Sequence, residues 1–320
     1  MKSFAAIGTG FIISTLAVAL LSSQAHSQDM SAGKEYTIST TSRLVLLDVS
    51  VHNSSGATVS GLTKDNFEII EDGKKQTITQ FANADVPVTI GILVDESGSM
   101  RHKKPEVITA ALVFITESNP HDEVFVLNFN EKVFRGLPDT MLFSDNSTQL
   151  RAALSRTDPQ GRTALYDAVM SGLRQLDMGR EDKKTLLLIS DGGDNVSTAS
   201  LKDVKSAVLQ TVATVYTIGV FDKDDPDKNP DVLRYLAQVS GGEAYFPEKL
   251  DDIVPICRKI AKDVRSRYTI GYVPNMEAHH KLRHVKVVVN AADKGKLIAR
   301  TRTQYSMTEE TGTADRELKK

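Results

Sequence analysis

The middle of the chain alternates short apolar runs with longer amphipathic segments. Residues 88–94 are apolar at nearly every position, as expected for a strand that is buried on both faces of a parallel sheet. Similar runs occupy residues 124–127, 185–189 and 215–220. Between the runs, apolar residues recur every three or four positions, the spacing of amphipathic helices. The predicted helices are residues 105–118, 164–178, 201–210, 231–239 and 250–265. This alternation predicts an α/β domain with a doubly wound, mainly parallel sheet over residues 86–265.

Two further blocks, residues 36–84 and 268–305, show strand patterns without helices. In the first block, Asp72 and Gly73 predict a tight hairpin turn, because both residue types tolerate positive φ angles. Neither block is long enough to bury a core alone. We therefore predict that the two blocks pack together as one small β-sandwich, with the α/β domain inserted between them.

The two ends of the chain differ from these blocks. Residues 1–27 combine Lys2, an apolar stretch and small residues before Gln28, which is the order of a secretory signal peptide. An uncleaved membrane anchor is the alternative, because the apolar stretch approaches the length of a spanning helix. We expect cleavage near Ser27 and a secreted or periplasmic protein, which contacts a membrane only if this segment is retained. Residues 306–320 are polar and are predicted to form a disordered tail.

Composition narrows the classes of partner and the sources of stability. The chain has 39 Lys and Arg against 41 Asp and Glu. The two signs alternate along the sequence, so we expect no broad basic surface and no nucleic-acid partner. Cys257 is the only cysteine, which excludes an intrachain disulfide. An exported protein of this kind relies on its core, with a bound ion as an additional source of stability.

Oxygen-bearing side chains come directly after two of the predicted strands. Asp95, Ser97 and Ser99 follow the first strand of the α/β domain, and Asp191 follows the third. Thr163 lies in a loop before a predicted helix. Ligands collect at the carboxyl edge of an open parallel sheet. Hard oxygen donors suit Mg²⁺, with Mn²⁺ and Ca²⁺ as alternatives, and do not suit zinc or copper. The alternative interpretation is a loop edge with capping residues, because Ser, Thr and Asp are favoured there for capping alone.

The same five residues resemble the metal-ion-dependent adhesion site of the von Willebrand factor A family. Asp95, Ser97 and Ser99 fit the D-x-S-x-S pattern of that family. Thr163 and Asp191 fit its distal threonine and distal aspartate, and all five occur in the family's order. The resemblance extends over the whole predicted α/β domain.

The flanking blocks look similar to a bacterial secreted subgroup of the same family. This likeness depends on residues 62–68 and 71–74 on the amino-terminal side and on residues 268–272 on the carboxyl-terminal side. These stretches also match ordinary strand and turn patterns, so they are less specific than the metal-site motif.

The resemblance implies a binding module and not an enzyme. By analogy with the family, Ser97, Ser99 and Thr163 would approach the ion through neutral hydroxyls. Asp95 and Asp191 would hold it directly or through water. The ion would then keep an open position for a carboxylate of the partner. The expected function is a secreted adhesion or protein-binding module that captures an acidic group of a protein partner.

Two other classes of function remain open on the sequence. An aspartate at a strand end with Mg²⁺ is also found in enzymes that form an aspartyl-phosphate, so a hydrolase of that type is the first alternative. Such enzymes usually carry a second acidic residue two positions on, where this chain has Ser97. The second alternative is a structural envelope protein whose ion only stabilises the fold.

Overall fold

The computed structural model describes residues 44–222, 226–274 and 282–306. The predicted signal segment, residues 1–27, lies outside the described residues, as do residues 36–43 of the first β block. Of the predicted tail, Ser306 belongs to the last strand, and residues 307–320 lie outside the described part. Among the described helices, none combines the length and the apolar character needed to cross a bilayer.

The secondary structure is numbered in chain order. The strands are β1 (Val45–Asn53), β2 (Phe67–Glu71), β3 (Lys74–Gln76), β4 (Ile78–Ala82), β5 (Thr89–Asp95), β6 (Glu123–Phe129), β7 (Val133–Arg135), β8 (Lys184–Ser190), β9 (Thr214–Gly219), β10 (Ala244–Tyr245), β11 (Tyr268–Tyr272), β12 (Leu282–Val289), β13 (Leu297–Arg300) and β14 (Gln304–Ser306). The helices are α1 (Lys104–Glu117), α2 (Ser147–Leu154), α3 (Leu165–Leu176), α4 (Leu201–Gln210), α5 (Pro230–Ser240) and α6 (Ile253–Arg265).

A six-stranded sheet in the order β10-β9-β8-β5-β6-β7 forms the centre of the α/β domain. All of its pairings are parallel except that of β7, which runs antiparallel along β6 at one edge. Every residue of β5 is buried, because β6 and β8 flank it and helices cover the sheet. The helices form two groups, α1 with α2 and α6, and α3 with α4 and α5. The predicted fold class, a mainly parallel doubly wound sheet, is confirmed.

Strands from the two flanks pair with one another in two four-stranded sheets. Their orders are β13-β1-β11-β4 and β14-β12-β2-β3, and every pairing is antiparallel. The pairs β1–β11 and β2–β12 join segments that the whole α/β domain separates in sequence. Apolar side chains of both sheets, including Leu47, Ile69 and Tyr268, form one hydrophobic cluster. Each flank therefore completes sheets that the other begins, and the two sheets with their shared hydrophobic cluster form a β-sandwich.

Individual residues explain the predicted hairpin, and they also explain two helices that differ from the prediction. Asp72 and Gly73 have φ angles of 46° and 79° between β2 and β3, as the Asp-Gly pair predicts. Helix α2 was not predicted; it begins after Asn146, whose side chain accepts hydrogen bonds from two backbone N–H groups of the first turn. The predicted helix 250–265 is a 3₁₀ turn over its first three residues. Pro255 then lies in the first turn of α6, where its missing N–H removes no helical hydrogen bond.

Candidate metal centre

The loop after β5 begins with a buried carboxylate that organises its own backbone. Asp95 is the last residue of β5 and is only 1% exposed. Its Oδ1 accepts a hydrogen bond of 2.9 Å from the Ser97 N–H, two residues on. An aspartate bonded in this way forms a local turn. A short 3₁₀ turn (Gly98–Met100) follows, and the buried Met100 side chain anchors it to the core.

Ser99 connects this loop to the end of β8. Its hydroxyl donates a hydrogen bond of 2.7 Å to Asp191 Oδ2, and it lies 3.1 Å from the Ser97 hydroxyl. The other oxygen of Asp191 accepts a hydrogen bond of 3.0 Å from the Gly193 N–H. Three of the predicted ligand residues are therefore in direct contact through their side chains.

The turn after Asp191 requires glycine. Gly192 has a φ of 83°, in the left-handed region that favours glycine. A Cβ atom at this position would lie 2.4 Å from the carbonyl oxygen of Asn229. The backbone of residue 192 therefore packs against the start of α5 at a distance that no other residue type allows.

Ser190 joins Asp95 to the same cluster, and the sequence analysis missed it. Its hydroxyl donates a hydrogen bond of 2.7 Å to Asp95 Oδ2 and accepts one from the Gly192 N–H. Ser190 ends β8, which lies beside β5 in the sheet. Its position at the end of a predicted strand was the signal that could have identified Ser190. The carboxyl ends of neighbouring parallel strands meet at one edge of the sheet, where ligands bind.

Thr163 reaches this edge through backbone hydrogen bonds. The Thr163 N–H donates to Asn195 Oδ1, and the Asn195 N–H donates to the Thr163 carbonyl, each over 3.0 Å. The Gly98 N–H donates to the carbonyl of Gly161, two residues before Thr163. The three loops that carry the predicted ligands are thus fastened to one another, and all five predicted residues come to the carboxyl edge of the sheet.

Glu96 is a second residue of this edge that the sequence analysis did not single out. Its backbone N–H donates to the Phe129 carbonyl, and its carbonyl accepts from the Gln160 N–H. The side chain is buried, with Oε1 3.2 Å from Lys104 Nζ. Burial raises the pKa of the Glu96 carboxyl to about 7, although the charge of Lys104 opposes this effect. Glu96 therefore holds the loop in place by its backbone and its ion pair.

The electrostatics of the cluster favour a cation. Burial raises the pKa of the Asp95 carboxyl to about 7, and the negative charge of Asp191 adds to this rise. Hydrogen bonds from Ser190 and Ser97 act in the opposite direction. A bound cation would favour the ionised form of both carboxylates, because opposite charges attract in a buried site. The residues present therefore fit a divalent ion.

The donor set also fits a hard ion. Within the described residues, no group of three or more His, Cys, Asp and Glu side chains could hold a metal. An ion at this edge would depend on hydroxyl oxygens together with the two aspartates, and oxygen-only sets of this kind suit Mg²⁺.

The family model of the von Willebrand factor type A domain matches residues 90–193. The chain contains a von Willebrand factor type A domain. The matched part of this domain includes all five predicted ligand residues, from Asp95 to Asp191. Domains of this family are mainly protein-binding or adhesion modules without enzymatic activity.

Individual proteins also resemble the chain, at a sequence identity of 25% or less in the three cases that follow. The uncharacterized protein sll0103 of Synechocystis sp. is 25% identical over 181 residues, which are 55% of this chain and 41% of that relative. A von Willebrand factor type A structure from Catenulispora acidiphila covers 83% of this chain and 75% of its own, at 16% identity and a TM-score of 0.49. The match to the von Willebrand domain of the type V pili tip protein Mfa5 from Porphyromonas gingivalis covers 56% of this chain and 95% of that domain, at 13% identity and a TM-score of 0.44. The family assignment depends on the match to the family model.

Proposed function

We propose that this chain is an exported adhesion module whose von Willebrand A domain captures an acidic group of a protein partner through a divalent cation, preferentially Mg²⁺. A protein-binding role is what the domain family suggests. The observation that carries the metal-dependent part is the cluster that joins Ser97 to Ser99, Ser99 to Asp191, and Asp95 to Ser190 at the carboxyl edge of the sheet.

Each residue has a distinct role in this proposal. Asp95 and Asp191 supply the negative charge that attracts the ion into a buried site. Ser97, Ser99 and Thr163 supply neutral oxygens, which hold the ion without cancelling its charge. When bound, the ion supplies an electrophilic centre that a carboxylate of the partner can approach.

The surroundings of Asp95 support binding over hydrolysis. A nucleophilic aspartate needs a carboxylate oxygen that can reach the substrate. Both oxygens of Asp95 accept hydrogen bonds, one from the Ser97 N–H and one from the Ser190 hydroxyl. Because the residue is also buried, its role is to organise the loop and to supply charge.

Titration calorimetry with Mg²⁺ alone tests the ion, and capture of extracellular proteins tests the partner. We expect Asp191→Asn to lower Mg²⁺ affinity at least tenfold, because it removes half of the negative charge of the site. Asp139→Asn is the matched control, since that side chain is 96% exposed and lies outside the cluster. Proteins captured by the wild type should be released by EDTA and should not be captured by Asp191→Asn. Equal Mg²⁺ affinity in the three proteins would contradict the proposal.

Export is supported by the order of residues 1–27 in the sequence. Mass spectrometry of protein recovered from outside the cytoplasm should find a mature start close to Gln28. An intact Met1 on membrane-bound protein would instead support the anchor alternative.

A further inference from the structure

A cleft of ≈ 420 Å³ lies between the β-sandwich and the amino ends of β8 and β9. Asp48 and Thr269 line it from the sandwich, and Lys184 and Thr214 line it where β8 and β9 begin. The candidate metal centre lies at the carboxyl ends of the same parallel strands, so the cleft is at the opposite edge of the sheet. Its volume is within the range of about 300–1,000 Å³ that is typical of small-molecule sites.

Two partly buried cations line this cleft with incomplete charge compensation. Lys183 Nζ donates to the Arg267 carbonyl, and the Arg302 guanidinium donates to the Thr211 carbonyl. Both partners are neutral. Burial lowers the pKa of Lys183 and of Arg302, while the charge of Asp48 acts in the opposite direction on each. Asp48 is therefore the carboxylate that acts on both of these partly desolvated cations, and Asp85 adds to its effect on Lys183.

A third cation lies behind the wall of the cleft. Arg267 is buried, and its guanidinium donates to the Asp48 carbonyl and to the Thr214 hydroxyl, over 3.2 Å in each case. The Asp263 carboxylate lies 3.5 Å from the Arg267 guanidinium, so the charge of Arg267 has a partner within the core. Asp263 does not line the cleft, and the positive charge of Arg267 still contributes to the lowered pKa of Lys183.

A hydroxyl without a hydrogen-bond partner also belongs to the cleft. Thr301 is 9% exposed, and within the described residues its Oγ1 has no hydrogen-bond partner. Thr301 precedes Arg302 and lines the same cavity. A buried polar atom of this kind is unfavourable unless a ligand or water supplies a partner.

The opening of the cleft is partly apolar. Leu46 and Val212 line it and are 43% and 56% exposed, which is high for such side chains. Glu181 and Asp182 also line the cleft. Asp182 is exposed to solvent, where water and salt screen its charge, and the charge of Glu181 acts on the exposed Arg180. The cavity thus combines a cationic inner wall with an apolar surface near its mouth.

We propose that this cleft binds a small organic anion, namely a carboxylate with a short aliphatic chain. The carboxylate pairs with Lys183 and Arg302 and accepts a hydrogen bond from the Thr301 hydroxyl. The aliphatic chain covers Leu46 and Val212. Such a ligand supplies the missing negative charge, the missing hydrogen-bond partner and the missing apolar contact together.

Titration calorimetry on the full-length protein tests this site with hexanoate, hexanamide and inorganic phosphate. The protein is first freed of metal with EDTA and then dialysed into EDTA-free buffer, so that hexanoate cannot bind at the candidate metal centre and EDTA, itself a carboxylate, cannot occupy the cleft. We expect saturable binding of hexanoate, no measurable binding of hexanamide, and at least tenfold weaker binding of phosphate. Hexanoate affinity should fall at least tenfold in Lys183→Gln and in Arg302→Gln. It should not change in Lys75→Gln, whose side chain is exposed and pairs with Glu68.

Four results would overturn the proposal: no saturable binding of hexanoate, equal binding of hexanamide, equal or tighter binding of phosphate, or the same hexanoate affinity in all variants. The comparison of hexanoate with hexanamide uses only the wild type, so it remains decisive if Arg302→Gln does not fold. Asp95→Asn should bind hexanoate as the wild type does, because the cleft is independent of the metal centre.

Discussion

The hydroxyl of Ser99 donates a 2.7 Å hydrogen bond to Asp191 Oδ2, and the two residues are 92 positions apart in the sequence. The bond joins the loop after β5 to the loop after β8. Because β5 and β8 are parallel neighbours, their carboxyl ends meet at one edge, and the fold itself brings the two residues together. The pair combines a neutral donor with a carboxylate, which is the combination that the proposed ion requires.

Asp95→Asn should abolish Mg²⁺ binding without destabilising the metal-free protein. The amide oxygen can still accept from the Ser97 N–H, whereas the amide NH₂ cannot accept from the Ser190 hydroxyl. Removal of a buried charge beside Asp191 offsets that lost hydrogen bond. Millimolar Mg²⁺ should stabilise the wild type by about 1–3 kcal/mol, as expected at a modest excess over the dissociation constant, and should not stabilise the variant. Ser99→Ala should weaken binding by less, because water can replace a neutral donor. Calorimetry and melting in EDTA or Mg²⁺ measure these effects, and equal Mg²⁺ affinity in Asp95→Asn and wild type would rule out this site.

Gly192→Ala should damage both stability and Mg²⁺ affinity. The new Cβ would lie 2.4 Å from the Asn229 carbonyl, so the turn that positions Asp191 must shift. We expect a loss of about 2–4 kcal/mol, from strained backbone and overpacking together. Gly56→Ala is the matched control: its φ of 79° is similar, but nothing lies within 4 Å of the added Cβ. That variant should lose only about 1 kcal/mol and keep its Mg²⁺ affinity. Urea unfolding compares the two, and equal losses would show that the contact with Asn229 is unimportant.

The sequence predicted those features that depend on local pattern. β5 was recognisable because its apolar run is continuous, and the hairpin at Asp72 because an Asp-Gly pair favours positive φ. The five candidate ligands were recognisable by motif order, although their binding of metal stays a prediction. Helix α2 was missed because it has only eight residues, and the Asn146 cap before it was the signal.

Features that depend on which elements become neighbours could not be predicted. The bond from Ser190 to Asp95 requires knowing that β8 lies beside β5. Strands β13 and β14 are short and partly exposed, so their pattern is weak. The burial of Arg267 and Asp263 was also invisible, because a charged residue in a sequence is most often on the surface.

The two flanks should not fold separately. β1 pairs with β11 and β13, and β2 pairs with β12, so residues 36–84 alone would lack most of their strand partners. We expect this fragment to be unfolded or aggregated, because a few strands cannot bury a core. Residues 86–265 should fold alone, since the hydrophobic cluster around the central sheet lies within them. Circular dichroism and urea titration test both fragments. If the 36–84 fragment unfolds cooperatively, the first flank does not need the second flank in order to fold, and the prediction is wrong.

Asp263 should make the stability of the protein depend on acid. Burial alone would raise the pKa of its carboxyl, but His52, Arg267 and Tyr216 outweigh burial and hold it at about 2, below the ordinary 3.8. His52 Nε2 lies 3.1 Å from Asp263 Oδ1, so the cluster joins β1 of the sandwich to α6. A carboxylate whose pKa is lower in the folded state stabilises the protein above its unfolded pKa. That contribution is lost as pH falls from about 4 to about 2.

The lost contribution should be about 2–3 kcal/mol, from a difference of nearly two pKa units. Asp263→Asn removes this titration and leaves Arg267 without its partner, so the variant should be less stable than the wild type at pH 6 by about 3–5 kcal/mol. The difference should shrink as pH falls to 2, because the wild-type carboxyl then becomes neutral as well. Urea unfolding from pH 6 to pH 2 measures the difference, with exposed Asp231→Asn as the control. A difference between Asp263→Asn and wild type that stays constant over this range would show that the carboxyl does not titrate as a buried partner of Arg267 and His52.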